Sequence, residues 1–404
     1  MCCLVAAPAV VLRLLGVDLP APLALLAFGG AVVGASFMLA WAAEAAEHDI
    51  SGGLAIAILA VIVVLPEYAV DLYFAYSAGS DPSHVAYAAA NMTGSNRLLL
   101  GVGWALVVIV ALAVARRRTG KPVRVIVLES GNRTELGFLA IASLVSLIIP
   151  ITGQIHLALG VVLLAIFAFY LVRAAISGDD TEPELIGPAA RIGDLPAGRR
   201  RPLVIAIFVI AAAVILSCAE PFADALVNSG RVLGIDQFLM VQWLAPLASE
   251  APELIVAVIF AVQGKAAGAI GMLISAKVNQ WTMLVGSLPV AYLIGGGSVA
   301  LPMDGRQTEE FLLTAAQTLL GIAVLLKLRF PRWLAWTLLG LFACQFVIPG
   351  TTGRLLLAGV FGALTIGAAI VNRRQILPTL AAPFRREKTI IAKDEERRLA
   401  AATR

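Results

Sequence analysis

The chain has 404 residues, of which 60% are hydrophobic and only 14% charged, with a mean hydropathy of +0.92 and a net charge of +4. A soluble domain of this length carries about 25% charged residues, so a water-soluble globule is excluded. The composition, with 36 glycines and apolar runs from end to end, matches packed transmembrane helices and not an alternating β-barrel.

The first twenty-one residues hold an apolar patch with Arg13 and two prolines, Pro8 and Pro20. They lack the basic start of a secretory signal and are followed by a full-length apolar run, which favours an N-terminal segment over a cleaved leader. Cys2 and Cys3 are an idle thiol pair or a lipidation site; with Cys218 and Cys344 they show no metal-ligand spacing.

Apolar runs of bilayer-crossing length then recur near 22–43, 53–78, 83–115, 135–151, 154–175, 203–228, 235–263, 266–299, 309–328, 332–348 and 353–372. These predict an all-α polytopic bundle of about eleven spans, the third and eighth of them broken internally. The interruption 177–201 is first acidic and Pro/Gly-rich and ends on Arg199-Arg200-Arg201, as an inter-repeat linker does. Lys and Arg cluster at 116–124, 199–201, 327–332 and 373–398. An eleven-span chain puts all four clusters on one side, so the positive-inside rule predicts the N-terminus outside and the C-terminus inside. The Glu44-Glu47-His48-Asp49 cluster then falls on the cytoplasmic side as well.

Two stretches inside these runs are costly. Leu65-Pro66-Glu67 and Ala251-Pro252-Glu253 each set a helix-breaking proline and a carboxylate at bilayer depth. Further landmarks follow each pair in the same order. Asn91-Met92-Thr93-Gly94-Ser95-Asn96-Arg97 corresponds to Gly271-Met272-Leu273-Ile274-Ser275-Ala276-Lys277, and Arg133-Thr134-Glu135 to Gln307-Thr308-Glu309. Five spans precede the linker, so the second copy starts from the opposite side: two inverted five-helix repeats with one surplus C-terminal helix. The boundaries are 1–21 for the N-terminal segment, 22–176 for the first repeat and 177–201 for the linker. The second repeat is 202–348, the extra span 349–373 and the charged tail 374–404.

Glu67 and Glu253 lead the candidate residues. A carboxylate beside carbonyls freed by proline offers oxygen ligands to a hard cation; the alternative is a structural glutamate hydrogen-bonded across helices. Their symmetry favours the first reading. Ser95, Ser275, Asn91 and Asn279 offer neutral oxygens or simply allow close helix packing. Asn279 lies one turn beyond Ser275, on the same face. Ser249 and Glu250 stand on the turn before Pro252, where the first repeat has Val63 and Val64. Asp71, one turn past Glu67, is a candidate proton carrier with no counterpart at Ala257. Arg97 and Lys277 are buried cations by position. They either pair with nearby glutamates, coupling cation release to protonation, or snorkel to the surface. No nucleotide-binding loop, zinc motif or nucleophile elbow occurs, which leaves neither nucleotide, nucleic acid nor a hydrolytic reaction with a sequence basis.

The two Pro-Glu elements with their Gly-Ser and Ser-Ala-Lys-Val-Asn continuations resemble the alpha-repeats of the calcium/cation antiporter superfamily, which includes sodium/calcium and proton/calcium exchangers. The resemblance implies a secondary antiporter in a bacterial-type cytoplasmic membrane. Its cargo would be Ca2+, Na+ or H+, and it would have no permanently bound cofactor. Glu67 and Glu253 would be central ligands, Ser95 and Ser275 the serines of the repeat, and Asn279 the amide one turn later, where the first repeat has Leu99. The pattern also departs from the family at Val63-Val64, Ser249-Glu250, Arg97 and Lys277. These substitutions keep a second expectation open, a sensor or scaffold on the same fold with its site plugged by Arg97 and Lys277. Lipid and inorganic cations are the partners implied; nothing in the pattern sets an oligomeric state.

Overall fold

The computed structural model describes residues 2–47, 49, 62, 64–177, 185, 187–348 and 350–385. In chain order the helices are α1 (Cys2–Leu15), α2 (Ala21–Glu47), α3 (Leu65–Ala78), α4 (Ala90–Leu98), α5 (Ala105–Thr119), α6 (Asn132–Ser146), α7 (Ile148–Thr152) and α8 (Leu157–Ser177). They continue with α9 (Pro188–Gly193), α10 (Ala197–Leu233), α11 (Gln237–Gln263), α12 (Ala266–Asn279), α13 (Val285–Ile294), α14 (Gly305–Leu325), α15 (Arg332–Val347), α16 (Gly350–Val371) and α17 (Arg373–Leu380). Among the described elements are also two 3-10 turns, Pro82–Tyr87 and Ala382–Phe384, and four three-residue strands: β1 (Val125–Val127), β2 (Gln154–His156), β3 (Ala300–Pro302) and β4 (Arg329–Pro331).

Eight helical segments among the described residues are long and apolar enough to cross a membrane. They match eight of the eleven expected runs. Of the other three, 332–348 is the shorter apolar helix α15, and 266–299 is built from α12 and α13. In the run 53–78, residues 53–61 and 63 lie outside the described residues, as do the tail from 386 and most of the linker's acidic part.

The internal breaks expected in the third and eighth runs take a specific form. A π-helical turn, Leu99–Trp104, joins α4 to α5, and another, Gln280–Leu284, joins α12 to α13. A π turn carries one residue more than an α turn, so it swings the side chains after it onto a new face while the helix continues. At Pro252 the structure corrects the expectation of a broken helix. α11 runs unbroken through Pro246 and Pro252, although each ring still deprives the carbonyl four residues earlier of its donor. Pro66, by contrast, sits in the first turn of α3, where its missing N–H has no helical partner to lose.

The chain folds as two compact units, and each draws on both halves of the sequence. One comprises Met1–Ser95, Ala168–Glu253 and Ser287–Leu301, the other Asn96–Phe167, Leu254–Gly286 and Pro302–Arg404.

In the first unit α2 and α10 pack along a stripe of small residues. Ala31, Ala35 and Leu39 meet Ala211, Ile215, Cys218 and Phe222, with Phe74 of α3 and Val241 of α11 closing the core. Lipid offers no hydrophobic gain to such contacts, so small side chains that let backbones approach supply the dispersion energy. Gly79 and Gly295 show the same logic: a Cβ on Gly295 would lie 1.9 Å from the Tyr76 carbonyl. Just past α2, Asp49 accepts a bidentate pair of hydrogen bonds from Arg200, both 2.7 Å, and a third from Arg201 at 3.1 Å. The Arg200 guanidinium holds the Asp49 carboxyl well below the usual carboxylate range. Basic and acidic residues expected on one membrane side are therefore in contact.

In the second unit β1 and β4 form an antiparallel ribbon, Val125 opposite Pro331 and Val127 opposite Arg329. Trp104 and Trp281, both fully buried, anchor the two π turns. Trp104 stacks edge-on against Phe330, while Trp281 meets Phe311 and donates to Thr318. Gly101 and Gly321 leave room for Phe342, Leu100 and Trp104; a Cβ at either would sit 2.6 Å from a ring or methyl carbon.

Candidate ion site

In the first unit the oxygen-bearing residues lie on three helical segments. On α3, Glu67 stands in the first turn and Asp71 one turn on, with exposures of 3% and 0%. On α4, Asn91 and Ser95 are one turn apart and fully buried. On α11, Glu250 is buried, while Ser249 and Glu253 are half-buried. Glu67 is the charged neighbour of both Asp71 and Glu253, so the two Pro-Glu carboxylates, distant in sequence, come within electrostatic reach of each other.

The docking of α4 on α11 explains how these groups are held. Pro246 has no N–H to give the Gln242 carbonyl, which is left facing outward. Gly94 fills that place: a Cβ there would lie 1.7 Å from the Gln242 oxygen. Beside it the Gln242 amide donates to the Thr93 hydroxyl at 3.2 Å, and Thr93 donates back to Ala89. Ser249 spends its hydroxyl on the Ala245 carbonyl at 3.2 Å. Backbone fit, more than side-chain bulk, sets the position of Asn91 and Ser95.

Asp71 faces the Asn91 side chain and the Met92 backbone, while the Ser95 hydroxyl and one oxygen of Glu253 are buried without a hydrogen-bond partner among the described residues. An unpartnered buried polar group costs about 1–3 kcal/mol, and a charged one more. No three carboxylate, imidazole or thiol groups among the described residues converge closely enough to cage a metal by themselves. A hard cation here would draw on neutral oxygens as well as carboxylates.

The remaining expected residues belong to the second unit. Ser275 donates to Glu135 at 2.8 Å, and Asn132 holds the other Glu135 oxygen at 3.0 Å. Asn279 is buried one turn beyond. The Lys277 ammonium is fully buried and donates to both the backbone and side-chain oxygens of Asn96, each at 2.9 Å. Arg97 is 2% exposed; its guanidinium meets Glu310 at 2.5 Å and Gln345 at 2.9 Å, and Gln317 donates to its carbonyl. Arg354 lies beside the same carboxylates, 2.8 Å from Glu309 and 3.7 Å from Glu310. Neither cation snorkels. Glu310 and Glu135, the carboxylates that organise this unit, are the ones sequence reasoning missed as functional groups. Glu135 and Glu309 did stand out as repeat landmarks, and a carboxylate at the head of each such span was the available signal.

Residues 20–175 and 203–349 match the sequence family described as sodium/calcium exchanger protein. A crystal structure of the H+/Ca2+ exchanger CAX is similar over 97% of both chains, with a TM-score of 0.88 and 38% identity. The Ca2+/H+ antiporter protein YfkE shares the fold at 17% identity and a TM-score of 0.58, covering 89% of this chain and 98% of its own. So does the sodium-calcium exchanger NCX_Mj soaked with Na+ and Sr2+, at 17% identity and 0.53, covering 80% and 96%. No curated protein sequence matches the chain.

Proposed function

The chain belongs to the sodium/calcium exchanger protein family, and from that premise we propose a secondary-active antiporter that exchanges Ca2+ for H+ at Glu67 and Glu253. It is an integral-membrane cation transporter and not an enzyme. The observation that carries the finer reading is the grouping of Glu67, Asp71 and Glu253 with the buried Asn91 side chain and the unpartnered Ser95 hydroxyl. Charge neutrality supplies the coupling. In an apolar surround two carboxylates require either one divalent cation or two protons, so cargo and protons exclude one another. Asp71 takes its proton from the same pool. Alternating access then presents this one site to each side of the membrane in turn. The similarity to the H+/Ca2+ exchanger CAX at 38% identity supports calcium and protons as the pair.

Two inverted repeats, 22–176 and 202–348, joined by a cytoplasmic linker at 177–201, are supported by the two separate blocks of family match. The basic clusters support an N-out, C-in orientation in a cytoplasmic membrane of bacterial type. Arg97 and Lys277 each hold partners of their own, Glu310 with Gln345 and Asn96. That supports a structural role for both cations and draws support away from a plugged, non-transporting protein.

The test is reconstitution in liposomes loaded with a pH-sensitive dye. An imposed Ca2+ gradient is expected to move protons the opposite way, and Glu67→Gln or Glu253→Gln to reduce the signal to that of empty vesicles. Calcium uptake driven by Na+ with no proton movement would replace the proton by sodium. Absence of both responses would refute antiport altogether.

A further inference from the structure

Away from the carboxylate cluster, the second unit holds a basic cavity of about 1150 Å³ between the end of α5, the β1–β4 ribbon and the start of α15. Its wall carries Arg116, Arg117, Arg124 and Arg332 together with Trp333 and Trp336, and no acidic side chain among the described residues. All four arginines are exposed, and the two indoles are 65% and 49% exposed. Exposed indoles are enriched where apolar chains meet headgroups, and four guanidinium groups beside them attract phosphate.

A second groove, of about 510 Å³, opens beside the first and shares Val125, Pro331 and Trp333 with it. This one is apolar along its length, lined by Leu320, Val324, Leu364 and Ala368 of α14 and α16, with Lys327 and Arg329 at the end nearer the ribbon. Gly367 shapes its floor, and nothing lies within 4 Å of where its Cβ would be. An anion-binding hollow continuous with an apolar trench has the two-part form of a phospholipid. A soluble phosphate would use the first part only.

We propose that these two cavities are a binding site for an anionic phospholipid. The phosphate and any further headgroup charge sit among the four arginines, and an acyl chain lies along α14 and α16 past Gly367. The site is independent of the exchange reaction and stands or falls separately from it. The basic ends that form it are those placed on the cytoplasmic side, where anionic lipid and basic juxtamembrane residues attract one another.

The full-length protein in phosphatidylcholine nanodiscs, with a minor fraction of lipid carrying brominated chains, provides the assay through tryptophan quenching. Brominated phosphatidylglycerol is expected to quench more than the same fraction of brominated phosphatidylcholine, and the excess to vanish in Trp333→Phe/Trp336→Phe. Each arginine changed to glutamine should weaken the anionic preference roughly fivefold, while Arg→Lys variants retain it. Gly367→Leu, whose Cβ meets nothing within 4 Å, puts side-chain bulk into the trench and should reduce quenching by the lipid chain while leaving the arginines in place. Equal quenching by both lipids, or an excess that survives in the quadruple Arg→Gln variant, would overturn the proposal. Loss of the excess on adding inorganic phosphate would assign the cavity to a free anion and overturn the lipid reading too.

Discussion

At Arg97 a positive charge sits 2% exposed near the end of α4, two residues past Ser95, and Glu310 neutralises it from α14. Removing one partner of such a pair strands the other, at about 3–5 kcal/mol. The loss is unequal here. Arg97→Gln leaves Glu310 with Arg354 at 3.7 Å, whereas Glu310→Gln leaves the deeper cation without its carboxylate. Thermal unfolding of the detergent-solubilised protein should therefore rank Glu310→Gln below Arg97→Gln, with Arg97→Met/Glu310→Met recovering much of the loss. Equal melting of both single variants would remove the argument. Glu67 and Glu253 were legible from sequence as candidates because a carboxylate beside proline in an apolar run is rare and the pattern occurs twice. Glu310 was not, since a carboxylate near the head of a span reads as an interface residue. Its partner comes from a helix that no local pattern connects to it.

Among the elements, α4 and α11 show how far helix signals carry. The prolines of α11 marked where carbonyls are freed, yet they did not end the helix; packing in the bundle holds it through both rings. Hydropathy flagged interruptions in the runs 83–115 and 266–299 but not their kind, because a π turn differs from an α turn by one residue and leaves composition unchanged. The close approach of Gly94 to the carbonyl that Pro246 frees is the contact that seats Asn91 and Ser95. Gly94→Ala should cost about 3 kcal/mol of stability and lower calcium-driven proton movement, because the whole helix must shift. Gly359→Ala on α16, where nothing lies within 4 Å, should stay within about 1 kcal/mol of wild type. Both are read from melting curves alongside the liposome assay; a neutral Gly94→Ala would mean that α4 is seated by something else.

For the whole molecule, the halves visible in sequence are not the units of packing. Each compact unit takes segments from before and after the linker, so neither half holds a complete core. Cutting the gene between Asp180 and Thr181 tests this, since linkers accept breaks that cores do not. Either fragment alone should be degraded rapidly by added trypsin, and the two co-expressed should purify together and resist it. A single fragment that resists on its own would contradict the composite arrangement. Ordered landmarks in the sequence point to a repeat. They could not reveal this interleaving, which depends on which helices meet and not on which are adjacent in the chain.

The two π turns also fix a phase. One follows Ser95 and the other Ser275 by about one turn, and each holds one residue beyond what an α-helix needs at that place. Deleting that residue would restore α-helical winding and rotate the helix that follows, α5 or α13, by about 100° against its neighbours.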